Sequence, residues 1–342
     1  MTTDNATTDN ATTDNATTDG GPVTRVEPKI EHRVRFSGKA RVIHAAARLL
    51  ARPAFALWPM TPRALRVALL LDVVAARRGA PVGTRVRRLD LGGFPAELVR
   101  ADGVEAQETV VLYFHGGGFV IGGLGTHRRC VSALSRTARR PVLSVAYRQY
   151  PATDLDGSVE DGLTAYRWLL QRDFTPGNIV FAGDSAGGYL AFAVALRARE
   201  AGLPAPAGIV AISPLLDWDV EVRNAHPNLA LDAYLPGRRL AALHRLLVGT
   251  PDPIQSPVNH DLRNLPPVLI QVAETEVLRC DAEAITPLLA AAGVPCTLQI
   301  WAGQIHAFPV LAGLLPEATA ALIEAGAFIQ QLTTDQRNGP DA

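Results

Sequence analysis

One stretch near the middle of the chain limits the fold more than any other. Ile179, Val180, Phe181 and Ala182 form a short apolar run of buried-strand type, and Gly183-Asp184-Ser185-Ala186-Gly187 follows as a G-x-S-x-G turn. Residues 189–201 then read as a helix closed by Gly202. Strand, tight turn and helix in that order are the setting in which this motif holds a serine on a strained backbone, hydroxyl outward, with flanking glycines leaving room for neighbouring backbone. Glycine and serine are common, so the motif acquires meaning only if the partners of an activated serine are encoded elsewhere.

The surrounding pattern supplies the scaffold. Residues 86–91 and 96–100 flank Gly92-Gly93 and read as a hairpin. Short apolar strands follow at 109–114, 141–147, 209–212, 268–272 and 295–300, with helices at about 126–139, 158–171, 282–292 and 317–332. Pro287 falls inside the third of these helices and is expected to kink it or delay its start. Strands alternating with helices imply an α/β fold, a mostly parallel sheet with helices on both faces. Residues 214–265 lack strand character and are expected to lie over the carboxyl edge of the sheet, where the active sites of such sheets lie.

A serine hydroxyl is a weak nucleophile; a neutral histidine must take its proton, and a carboxylate must orient that histidine. Of the eight histidines, only His306 follows a strand near the end of the chain, in a loop able to reach the serine. In the Ser, acid, His chain order the carboxylate falls between Ser185 and His306, after the strand at 268–272, where Glu274, Glu276 and Asp281 are the candidates. Charge developing on a carbonyl oxygen also needs backbone N–H groups aimed at it. His115-Gly116-Gly117-Gly118-Phe119 directly follows the strand at 109–114, and its three successive glycines permit such geometry. No G-x-x-x-x-G-K-[ST] or strand-coupled G-x-G-x-x-G is present, which argues against a phosphate cradle.

The HGGG stretch, the Gly183–Gly188 turn and the segment Tyr147-Arg148-Gln149-Tyr150-Pro151 together resemble the hormone-sensitive-lipase-like family of α/β-hydrolases, which includes many bacterial esterases. The resemblance runs from about residue 109 to 328. It implies the α/β-hydrolase fold with a helical cap, and a carboxylic-ester hydrolase working through a serine acyl-enzyme. It further implies Ser185 as nucleophile, His306 as base and oxyanion amides from Gly117, Gly118 and Ala186, with His115 shaping the loop. The family's usual Asp-Pro-Leu at the acid position reads Glu276-Val277-Leu278 here, so by register Glu276 is preferred to Asp281 and Glu274. The substrates implied are short- to medium-chain acyl esters of small alcohols, with no cofactor and no metal. An amidase, deacetylase or lactonase would use the same constellation, and a non-catalytic small-molecule-binding protein could use the same scaffold.

Outside this region the chain is different in kind. Residues 2–19 repeat Thr-Thr-Asp-Asn-Ala and hold no large apolar side chain, so residues 1–24 are expected to be a disordered tail, as are 336–342 at the other end. Three Asn-x-Thr sequons at Asn5, Asn10 and Asn15 read as products of the repeat. Residues 25–80 are expected to form N-terminal cap helices, with 81–335 as the catalytic domain and 214–265 as a second cap segment. Val42, Ile43, Ala46, Leu49 and Leu50 mark a first helix that Pro53 should close. In the second, Thr61 is the N-cap, Pro62 the first helical residue and Gly79 the stop, with Val67, Leu70, Leu71 and Val74 as its apolar stripe.

The simpler reading is a cap packed on the larger domain, with Phe55, Leu57, Trp58 and Leu70 available to shape an acyl or alcohol pocket. The rival reading is a peripheral membrane contact, because residues 25–100 hold sixteen Lys and Arg against five Asp and Glu. A homodimer is a further expectation. Zero net charge points away from nucleic acid. Cys130, Cys280 and Cys296 are far apart and odd in number, which suggests free thiols rather than a disulfide framework. With no basic n-region or apolar h-region in the first twenty residues, a cytoplasmic location is expected.

Overall fold

The computed structural model describes residues 24–105, 108–172, 174–248 and 256–335. The repeat and the last seven residues, for which disorder is expected, lie outside these. Among the described residues nine strands form one sheet in the order β1-β9-β8-β7-β6-β4-β5-β3-β2. They are β1 (Lys29–Arg33), β2 (Thr84–Asp90), β3 (Pro95–Ala101), β4 (Val110–Phe114), β5 (Val142–Val145), β6 (Ile179–Asp184), β7 (Gly208–Ile212), β8 (Val268–Ala273) and β9 (Cys296–Trp301). Only the β2/β3 hairpin and the β3/β5 pair are antiparallel.

The central strands are buried at every position and mostly apolar because both of their faces are covered. Leu112, Phe114 and Phe181 point to one face, and Val111, Tyr113, Val180 and Ala182 to the other. Helices α5 (Leu155–Leu170), α6 (Ala186–Glu200) and α10 (Arg279–Ala291) cover the first face; α4 (Leu124–Ala138) and α11 (Pro316–Asp335) cover the second. Phe114 and Phe181 meet edge-on at 5.9 Å, adding about 0.5–1.5 kcal/mol to the free energy of their burial. Helix α10 runs through Pro287. The start is therefore not delayed.

The N-terminal region departs from expectation in three places. Residues 29–33 form an edge strand parallel to β9. Its inward side chains are Glu31 and Arg33, which join Gln299 and Glu324 in a hydrogen-bonded ion network, while Ile30 and His32 face outward. With the polar residues turned in, no apolar alternation announces this strand. The first helix is not closed by Pro53. α1 (Gly38–Ala46) continues through a π-helical turn (Ala47–Ala51) into α2 (Arg52–Leu57), so the helical backbone runs on past Pro53, with the irregular turn falling directly before it.

Helix α3 (Pro62–Ala76) has the expected punctuation, since Thr61 accepts from the Ala64 amide and Gly79 takes φ +72°. It packs with the opposite face, however. Leu65 and Ala68 are buried, whereas Val67, Leu70, Leu71 and Val74 are exposed. The cause lies at the start of α4. Asp72 accepts from the amide of Thr126 at 2.7 Å and its hydroxyl at 2.9 Å. The backbones of α3 and α4 approach so closely there that a Cβ at Gly125 would strike Ala76. A half-buried polar anchor and a glycine contact orient the helix against its own apolar stripe.

Candidate active site

Ser185 stands between β6, one of the central strands, and α6, where φ of 54° and ψ of −115° put a non-glycine residue in a costly conformation, about 1–3 kcal/mol. The surroundings over-determine it: the Ser185 amide donates to Ile212, and its carbonyl accepts from Tyr189 and Leu215. A side chain at Gly183 or Gly187 would collide with the Phe114 carbonyl, so the elbow can press against the end of β4 only with glycine at both positions. Ser185 Oγ lies 2.9 Å from His306 Nε2.

His306 reaches the serine from the loop after β9 and is 6 % exposed. Its Nδ1 is 3.3 Å from Glu276 Oε2, within ion-pairing reach but not aligned as a hydrogen bond. Burial on its own would lower the imidazole pKa; the Glu276 carboxylate outweighs it, and the net shift is upward. Burial raises the Glu276 pKa, against the opposing pull of His306. A histidine with a raised pKa is a stronger base when neutral and a better-stabilised cation once protonated.

The three carboxylates after β8 separate cleanly. Glu274 is exposed, Glu276 faces His306, and Asp281 is occupied elsewhere. Asp281 pairs with the buried Arg223 through two hydrogen bonds of 3.1 and 2.8 Å and accepts the amides of Leu216 and Asp217. It anchors the start of the segment that follows β7.

Glu276 has its own supports. Ser213, at the end of β7, donates its hydroxyl to Glu276 Oε2 at 2.8 Å and accepts the Ala307 amide at 3.0 Å, which ties the acid loop to the histidine loop. Asn228 donates to the carbonyls of Glu274 and Glu276, and Asp232 accepts the Val277 amide. Sequence reading did not single out these three residues; the one available signal was the position of Ser213 directly after a core strand.

The glycine loop after β4 lies against the elbow. Gly117 and Gly118 take φ of +123° and +63°, and a Cβ at Gly117 would collide with the Ile121 carbonyl. Among the described residues no protein acceptor takes the Gly117 or Gly118 amide. Ala186 is the first residue of α6, where the amide has no intrahelical partner. Asp184 fixes this loop, accepting the Gly116 amide at 3.0 Å and the Tyr113 hydroxyl at 2.7 Å.

His127 Nε2 lies 3.3 Å from the other Asp184 oxygen. Burial opposes charge on both partners, yet their mutual attraction prevails: the Asp184 pKa is lowered and that of His127 raised. His127 in turn contacts Thr126, which is held by Asp72 of the cap. His115 is different. Burial first, then His127, push its pKa down to about 4, and it stacks on Tyr147 at 4.4 Å with Nδ1 against the Gly116 carbonyl. It shapes the loop as a neutral ring.

The excursion between β7 and β8 carries α7 (Val220–Ala225), α8 (Asn228–Leu231) and α9 (Gly237–Leu247), and it roofs the site. Tyr234 stacks on His306 at 6.2 Å, and Phe55 of α2 stacks on Tyr234 at the same distance. Leu243 of α9 sits over Gly118. Of the four apolar residues expected to be available to the pocket, Phe55 is the one whose ring contact leads to the site; Leu57 and Leu70 are exposed, and Trp58 is partly so.

Residues 111–310 match the family described as having the alpha/beta hydrolase fold. Esterase LipU of Mycobacterium tuberculosis is 43 % identical over 272 residues, covering 76 % of this chain and 91 % of that protein. The chain belongs to the hormone-sensitive-lipase-like esterases of the α/β-hydrolase superfamily. Carboxylesterase/phospholipase LipF of the same organism is 43 % identical over 270 residues, covering 75 % of this chain and 72 % of that one. Among solved structures, a mutant of esterase E40 aligns with a TM-score of 0.79 at 32 % identity, over 87 % of this chain and 99 % of its own. An esterase described as from the bacterial hormone-sensitive lipase family aligns with a TM-score of 0.77 at 32 % identity, over 88 % of this chain and 100 % of its own.

Proposed function

We propose that this chain hydrolyses carboxylic esters of short- to medium-chain acids through an acyl-enzyme on Ser185. The observation that carries the reading is the 2.9 Å contact between Ser185 Oγ and His306 Nε2 on an elbow strained to present that hydroxyl. His306 Nε2 takes the serine proton as Oγ attacks the ester carbonyl. Glu276 stabilises the imidazolium without taking its proton. The amides of Gly117, Gly118 and Ala186 hold the negative oxygen of the tetrahedral intermediate. The intermediate collapses with loss of the alkoxide, which receives the proton from His306 and departs as alcohol. Water, deprotonated by His306, then attacks the acyl-serine and releases the acid, restoring the serine.

The residues above the site support the choice of acyl group. Leu243 beside Gly118 and the Tyr234 ring beside His306 place largely apolar surface next to the reacting carbonyl. A series of p-nitrophenyl esters from acetate to palmitate tests the reading. We expect kcat/KM to be highest between two and about eight acyl carbons and to fall steeply beyond, an order set by pocket size. A maximum at the longest chains would refute the substrate range, and hydrolysis of none would refute the ester reading.

A further inference from the structure

The outward face of α3 has no part in the chemistry above. Among the described residues, fourteen of the nineteen large apolar side chains that are exposed lie between Ile30 and Val82. On α3 they form a ridge. Leu65, Ala68, Asp72 and Ala76 point into the protein, and at 100° per residue Val67, Leu70 and Val74 fall directly opposite, with Leu71 beside them. These four are between 52 and 62 % exposed. Single exposed apolar residues are ordinary, but a continuous stripe on one helix face is the mark of an interaction surface.

The charges around the ridge identify what it meets. Arg63 and Arg66 flank its N-terminal end, Arg77 and Arg78 its C-terminal end, and all four are exposed. From residue 34 to 89 the chain carries twelve Lys and Arg and one acid, Asp72, which is turned inward onto Thr126. Pairing of α3 with α3 of a second copy about a two-fold axis would bring arginines against arginines at both ends of the ridge. An anionic lipid surface instead satisfies both features, taking the apolar ridge among its acyl chains and the arginines among its headgroups. No helix among the described residues is long and apolar enough to cross a membrane, so the contact is peripheral.

We propose that the outer face of α3 docks the protein on anionic bilayers. The proposal is independent of the ester-hydrolysis reading, because no residue of the ridge or its arginine rim belongs to the triad or the glycine loop.

Vesicle flotation of the full chain tests it, using phosphatidylcholine alone and phosphatidylcholine with phosphatidylglycerol. We expect the protein to float with the anionic vesicles at least tenfold more than with the neutral ones, and high salt to reduce the difference. Leu70→Gln with Val74→Gln, and separately Arg63, Arg66, Arg77 and Arg78 all to Gln, should each lower flotation at least fivefold. Hydrolysis of soluble p-nitrophenyl butyrate should be unchanged in both variants, which shows that they fold. Absence of flotation, or flotation unchanged in variants that still hydrolyse the soluble ester, would overturn the proposal. So would a dimer in sedimentation velocity that the same substitutions dissociate, since that result assigns the ridge to a second copy.

Discussion

At the scale of the residue, three carboxylates within eight positions show how completely environment decides role. Glu276 and Asp281 are equally buried; one faces an imidazole and the other an arginine. Glu276→Gln should lower kcat by roughly 10³- to 10⁴-fold, the size of effect expected when a triad loses the charge that holds its tautomer. The pH profile carries a sign as well. Because His306 is basic-shifted in the folded protein, its deprotonated form accumulates only above the ordinary histidine range, and the acid limb of kcat/KM should lie above about pH 6.5. Removing the carboxylate should move the limb that remains to lower pH. Asp281→Asn, by contrast, strands the Arg223 guanidinium and should cost about 3–5 kcal/mol of stability in denaturant titration, with kcat per folded molecule little changed. Register placed Glu276 beside His306, but no local pattern disclosed the Arg223 partner, which is 58 positions from Asp281. Ser213 was hidden for the same reason: a buried hydroxyl between two distant loops leaves no periodic trace.

Elements connect the cap to the chemistry. A chain of polar contacts runs from Asp72 on α3 through Thr126 and His127 of α4 to Asp184, which holds the Gly116 amide. The His127–Asp184 pair positions the glycine loop through the Gly116 amide. His127→Gln should therefore reduce kcat roughly ten- to a hundredfold, the cost of displacing a donor by a fraction of an ångström, with KM within about twofold of the parent. A rise in KM as large as the fall in kcat would mean that the loop had lost its shape altogether. Gly117→Ala is the harsher change, since the added methyl meets the Ile121 carbonyl and φ is +123°. It should cost about 10²–10³-fold in turnover of a chromogenic ester. At this scale the sequence was readable where periodicity and turn chemistry agree, as in β4, β6, α6 and the β2/β3 hairpin. It misled where a long-range contact overrode local pattern. Helix α3 was correctly delimited by Thr61 and Pro62, yet Asp72 and the small residues of α4 chose its buried face.

Across the whole molecule, the sheet order explains why residues so far apart in the chain meet. β6 lies between β4 and β7, so the elbow, the glycine loop and Ser213 all emerge at neighbouring carboxyl ends, while β8 and β9 deliver Glu276 and His306 from the next two strands. Alternation of strands and helices was sufficient to foresee this core, because each of those strands is predominantly apolar. The edge strand β1 was not foreseeable, since its inward side chains are charged and its partner is more than 260 positions away. We propose that Ser185 is the nucleophile this scaffold presents. Intact-mass analysis after exposure to a fluorophosphonate tests it directly. We expect one adduct per chain, mapped to Ser185, and none on Ser185→Ala. Native protein that takes up no adduct, or a Ser185→Ala variant that is labelled as fully as the parent, would contradict it.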